Sequence, residues 1–223
     1  MIVEVVSGTF IVVTAALGVA IAKHKEVKQK NAEIKALTRS LNGYAETYIF
    51  ENADIDMIHN CKNTIGELFG NDIANIEKEF AKRKTIEDKK KYAQEIVQKI
   101  ADSMNVRIDA IKIETLPVYL YGAAGPDYEN DDMYEVVLNE ILIIDNPIEF
   151  VKTTCHELRH LVQYQAILNN TWGFSNQRIA QYMYGWKKGN YVEDGSMYAY
   201  QKQGVENDAD KYADAVMDAA FNY

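Results

Sequence analysis

His156, Glu157 and His160 stand in the run His156-Glu157-Leu158-Arg159-His160, and their types and spacing suit hydrolysis beside a single zinc ion. On a helix, residues four apart lie one above the other, so both imidazoles can converge on one metal. Glu157 is one step around the helix, placed to take a proton from a water in the metal's open position and angled away from serving as a ligand itself. The chain holds only four histidines, and two of them occupy this pattern.

Such a pair needs a helix under it, and the flanking residues specify one. Asn146-Pro147-Ile148-Glu149 reads as a helix start, with Asn146 as cap, Pro147 at the first helical position and Glu149 completing a capping-box-like pair. Ile148, Phe150, Val151, Cys155, Leu158, Leu161 and Val162 then give the broad apolar surface of a central helix. The pattern runs to Leu168 and stops at Asn169-Asn170. A catalytic zinc needs a third protein ligand, with the fourth position left to water. His24 and His59 lie far upstream in regions of different character. Glu206 is the better candidate, in a helix expected from about Gly204 to Phe221, where Glu206 and Asp210 share one face. There Glu206 would bind the metal while Asp210 accepts a hydrogen bond from the second nitrogen of a ligand histidine. The competing explanation is an acidic first turn that simply favours the helix dipole.

His156-Glu-x-x-His160 followed by Glu206-x-x-x-Asp210 resembles the gluzincin class of zinc metallopeptidases. The run Thr154 to Gln163 is similar to the active-site helix of metallopeptidases in phage-related and polymorphic-toxin proteins of bacteria. In those a Trp, an Asn-Tyr pair and a Tyr/Gln segment precede the second motif; here Trp186, Asn190-Tyr191, Tyr198 and Gln203 stand in that order. The resemblance covers roughly residues 116–221 and departs in the long insertion between the two motifs. It implies a small zincin-type fold with peptidase activity and leaves the substrate open. An oxyanion-stabilising donor is sought in the Tyr-rich segment 191–200, with Tyr198 as the choice.

Charge and cysteine content bound the reading. Residues 1–100 carry 15 Lys and Arg against 14 Asp and Glu, and the remainder 9 against 19, so the two parts hold +1 and −10 of the net −9. An acidic catalytic half argues against a nucleic-acid partner, since phosphate binding needs the opposite sign. Cys61 and Cys155 have no disulfide spacing and suit a reducing compartment. Val5 to Ala22 is uncharged and near the shortest length that spans a bilayer. It is followed at once by Lys23, Lys25, Lys28 and Lys30, which favours a single-pass anchor with the catalytic domain in the cytoplasm. Ala20-Ile21-Ala22 leaves open a cleaved signal and a secreted domain.

The expected architecture is α+β: a transmembrane helix over residues 1–22, a helical stalk or linker over 23–71, and a small zincin-like metallopeptidase domain over 72–223. Thr85 to Ser103 reads as a helix, Ile111–Tyr121 and Tyr134–Ile144 as β-rich runs, and Gly122–Asp132 as the loop between them. The strand ending in Ile144 would offer an edge to which an extended substrate adds. The functional reading is a membrane-anchored zinc peptidase acting on a protein or peptide, with His156, His160 and Glu206 on the metal and Glu157 as base. The alternative is a tethered binding or regulatory protein with a degenerate or non-catalytic zinc site.

Overall fold

The computed structural model describes residues 49–126, 133–187, 190–191 and 203–221, all within one compact unit, Tyr48–Tyr223. The proposed membrane helix and residues 23–48 of the stalk lie outside the described residues. Among the described residues no helix is long and apolar enough to cross a membrane.

Three helices lead into the sheet. Helix α1 (Asn52–Phe69) buries Met57, Cys61, Ile65 and Phe69, a single stripe of i, i+4 steps. It ends at Gly70, whose φ of +70° is a conformation glycine adopts without strain. This helix packs on the C-terminal helix and on α3. The compact unit therefore begins at Tyr48 rather than residue 72, and α1 is core where a stalk was expected. Helix α2 (Ala74–Ala81) is short. Helix α3 (Ile86–Met104) is capped by Thr85, whose hydroxyl accepts from the Asp88 amide at 3.1 Å. It buries Ala93, Ile96, Val97, Ile100, Ala101 and Met104, and stops at Asn105 in the left-handed region.

The sheet has three strands in the order β1-β3-β2 (β1 Ala110–Glu114, β2 Gly122–Pro126, β3 Tyr134–Asn139). β3 is central, parallel to β1 and antiparallel to β2. Two expectations are corrected here. Gly122–Pro126 pairs as an edge strand where a loop was read, and the Tyr134 run leaves the sheet at Asn139 and turns into helix α4 (Glu140–Asp145). Among the described residues the free edge beside the central helix is thus β2's, and β3, paired on both sides, has none to offer.

The central helix α5 (Pro147–Leu168) has the start and stop the sequence specifies, with Asn146 accepting from the Glu149 amide at 3.2 Å. It packs on α3, α4, both neighbouring strands β2 and β3, α6 (Asn176–Gly185) and α7 (Gly204–Phe221). Enclosure on so many sides explains why fourteen of its twenty-two residues are buried, polar ones among them. The architecture is α+β, with the sheet on one side of α5 and helices around the rest.

Candidate metal centre

Helices α5 and α7 bring three donors together. His156 and His160 Nε2 atoms are 3.0 Å apart, and Glu206 reaches them with Oε2 3.3 Å from the first and Oε1 3.4 Å from the second. Donors arranged tetrahedrally about a zinc at roughly 2.0–2.1 Å are separated by about 3.3 Å. Spacing and donor types therefore fit zinc. Among the described residues this is the one cluster of histidine, cysteine and carboxylate groups able to hold a metal. Glu206 is buried, and its Oε2 accepts no well-formed hydrogen bond among the described residues. A carboxylate oxygen left so in the interior is suited to a cation.

The histidines are oriented by their other nitrogens. Asp210 Oδ1 lies 2.9 Å from His156 Nδ1, and Gln163 Oε1 lies 3.1 Å from His160 Nδ1. An acceptor at Nδ1 holds one proton there, so Nε2 is the nitrogen that faces the cluster and would turn its lone pair to a metal. Asp210 follows Glu206 by one helical turn, so one face of α7 supplies both groups. Burial alone would lower the proton affinity of His156. The carboxylates of Asp210 and Glu206, with Glu157 nearby, outweigh it and raise the pKa from 6.5 to about 10. Burial pushes Glu206 the other way from its histidine partners, which prevail and hold it well below the usual carboxylate range.

Glu157 is buried beside this cluster, packed against β2. A Cβ placed on Gly122 would come within 2.9 Å of Glu157 Cγ and 3.0 Å of its Oε1, so only glycine leaves the carboxylate its present position. Burial raises the Glu157 pKa, partly opposed by the charge of His156 and His160. A carboxylate with raised proton affinity is a better base.

An aromatic wall closes one side. The His160 ring meets Trp186 edge-on at 5.3 Å, Trp186 stacks on Tyr164 at 4.3 Å, and Tyr191 tilts against Trp186 at 4.8 Å. The Tyr191 hydroxyl donates to Glu206 Oε1 at 2.7 Å. Tyr191 thus belongs to the cluster, whereas Tyr198 lies outside the described residues. His59 is exposed on α1 and is not part of the cluster, and Cys155 is buried and raised in pKa by that burial.

Sequence reasoning missed Gln163, which is three residues after His160 and so on its face of α5. It also missed the buried ion cluster beneath. Arg159 is fully buried and donates to Asp208 (Nε to Oδ2, 2.7 Å), Asp54 (2.5 Å) and Tyr182 (2.8 Å). Arg178 donates to Asp208 Oδ1 at 2.6 Å. Gln163 Nε2 donates to Asp208 Oδ2 at 2.8 Å and to the Val205 carbonyl at 2.9 Å, joining this cluster to the ligand histidine. Asp208 is two residues from Glu206, about 200° around the helix, and faces the opposite way. Comparison with family models, with curated proteins and with solved structures finds no match to the chain.

Proposed function

We propose that this chain is a zinc-dependent peptidase of zincin-like fold, tethered to a membrane by the uncharged run Val5–Ala22. The observation that carries the reading is the convergence of His156, His160 and Glu206 from two helices with Glu157 beside them. His156, His160 and Glu206 would hold the metal, which when bound supplies a water of lowered pKa and polarises the substrate carbonyl. Glu157 accepts the proton of the attacking water and passes it to the leaving amine. Its burial against Gly122 fixes its direction, and the aromatic wall keeps bulk water from that side. Tyr191 orients the Glu206 carboxylate and brings a hydroxyl to the cluster that could serve a developing oxyanion.

The free edge of β2 supports an extended polypeptide as substrate. The Asn139 amide donates to the Tyr121 carbonyl at 2.9 Å, so residues 121, 123 and 125 point their polar groups at β3. Gly122 and Ala124 therefore present N–H and C=O outward, next to Glu157, where a substrate strand can add. The acidic half and the Lys-flanked anchor favour a cytoplasmic polypeptide substrate over nucleic acid.

Metal analysis joined to a peptidase assay on the full chain tests this. About one zinc per chain is expected, lost in His156→Ala and His160→Ala. Peptide cleavage should stop with a chelator and in Glu157→Gln, which keeps the metal. Zinc retained by both histidine variants would end the reading, and zinc bound with no Glu157-dependent cleavage would leave the tethered binding protein.

A further inference from the structure

Six large apolar side chains stand exposed at one end of the sheet. Val118, Tyr119, Leu120 and Tyr121 are consecutive in the β1–β2 connection, Val118 and Tyr119 each 77% exposed, and Ile141 and Ile144 are exposed on α4. One residue joins the two groups. Asn139, the last of β3, is buried, and its side-chain amide donates to the carbonyls of Leu116 (3.3 Å), Pro117 (3.3 Å) and Leu120 (2.8 Å). Its Oδ1 accepts from the Ile141 amide at 3.2 Å, capping α4. The Leu120 amide closes the turn on the Pro117 carbonyl at 2.8 Å. The connection is therefore held in place while its apolar side chains face outward, an arrangement that suits a contact surface.

The sequence around it is as selective as its shape. Leu116 to Pro126 contains no charged residue, in a chain of which 26% is charged. Acidic residues outnumber the one cation at the border: Glu114 ends β1, and Glu140 and Asp145 flank the α4 isoleucines, with Lys90 paired to Glu140. An anionic bilayer or nucleic acid would meet the wrong charge there. The surface is also continuous with the candidate site. Tyr121 is followed directly by Gly122, which lies against Glu157 and opens the free edge of β2. A chain added to that edge passes Glu157 and then runs over the exposed connection.

We propose that Val118–Tyr121 with Ile141 and Ile144 form a specificity surface for the substrate polypeptide, selecting segments that carry bulky aliphatic or aromatic side chains a few residues from the scissile bond. This rests on the peptidase reading and names its substrate class. Buried contact with apolar side chains supplies the affinity, and the fixed connection spares the ordering cost of a mobile loop.

The probe is a pair of extended peptides, alike except for a distal block of Leu, Tyr and Val in one and Ser and Thr in the other. Binding is read by fluorescence anisotropy on the full-length Glu157→Gln chain, with and without Val118→Ser/Tyr119→Ser; both positions are exposed, so the fold is retained. The apolar peptide should bind at least about tenfold more tightly, and the double substitution should abolish that preference while leaving zinc content unchanged. With active enzyme, the same gap should appear in KM more than in kcat. Equal binding of both peptides, or a preference that survives the double substitution, overturns the proposal. So does a surface-dependent binding to phosphatidylcholine vesicles, or a surface-dependent dimer, without peptide preference. Failure of the peptidase reading looks different: no peptide is cleaved, whatever the anisotropy shows.

Discussion

At the scale of single residues, the donor cluster is also a proton store. In the metal-free protein His156 is held protonated well above neutrality, at a pKa of about 10, because Asp210 and Glu206 outweigh its burial. A zinc that takes Nε2 must displace that proton, so affinity should fall as pH falls and binding at neutral pH should release protons. Stability of the metal-free protein has its own pH window. The raised histidine contributes fully below its ordinary value of 6.5 and loses its contribution as pH rises through about 10. The depressed Glu206 contributes above its ordinary value of 4.5 and loses its contribution on acidification below that. Both describe one ion-pair cluster, so these two groups stabilise the chelated protein most between 4.5 and 6.5. Thermal unfolding followed with chelator and with zinc checks this: the zinc-bound optimum should lie at higher pH. A metal-free midpoint that climbs steadily from about pH 6.5 to about pH 10 would contradict it.

At the scale of elements, β2 is the piece that aims the base. Gly122→Ala would push a methyl group to 2.9 Å from Glu157 Cγ and 3.0 Å from Leu138 Cδ2. Zinc content should stay near one per chain while kcat falls by about 10- to 100-fold, the scale of a misplacement near 1 Å; an unchanged kcat would show that Glu157 is aimed by something else. This strand was not legible in the sequence. Gly122-Ala-Ala-Gly-Pro126 has none of the β-branched or aromatic residues that mark strands, and its strand character comes from pairing with β3 and from the room it leaves for Glu157. The opposite error befell Ile141–Ile144, whose apolar run continues the β3 pattern although Asn139 caps a helix there. Helix α1 read as stalk because its buried stripe is one residue wide, at Met57, Cys61, Ile65 and Phe69. Helix α5 was legible because its cap, length and apolar periodicity agree, and α7 because its acidic first turn opens a run free of Gly and Pro to Phe221. The motif spacing announced His156, His160 and Glu157, while Tyr191 and Gln163 reach the site through tertiary packing that no local pattern records.

At the scale of the whole molecule, four helices meet at one buried charge cluster directly beneath the candidate centre. Asp54 comes from α1, Arg159 from α5, Arg178 from α6 and Asp208 from α7, two buried cations and two buried anions, with the partly exposed Glu51 at the rim 3.7 Å from Arg178. Arg178 also holds the start of the domain, donating to the Ile49 carbonyl at 2.9 Å. The Arg159 guanidinium lies 4.9 Å from the Tyr212 ring centroid and 5.1 Å from that of Phe174, so the cluster is walled by core aromatics. Desolvation of four charges makes such a cluster a weak source of net stability, yet removing one member leaves its partner charged and uncompensated. Asp54→Ala should therefore cost about 3–5 kcal/mol, and Arg159→Met a comparable amount, read from urea unfolding of the full chain. The double variant distinguishes charge balance from lost packing. With both Asp54 and Arg159 gone, Arg178 and Asp208 still pair at 2.6 Å, so neither buried charge is left uncompensated. Its destabilisation should fall short of the sum of the single effects by about 0.5–3 kcal/mol, the range of coupling between groups in one network. Simple additivity would mean that the two residues act through separate contacts, and that the Asp54–Arg159 pair adds nothing to the packing of α1 on α7 and α3.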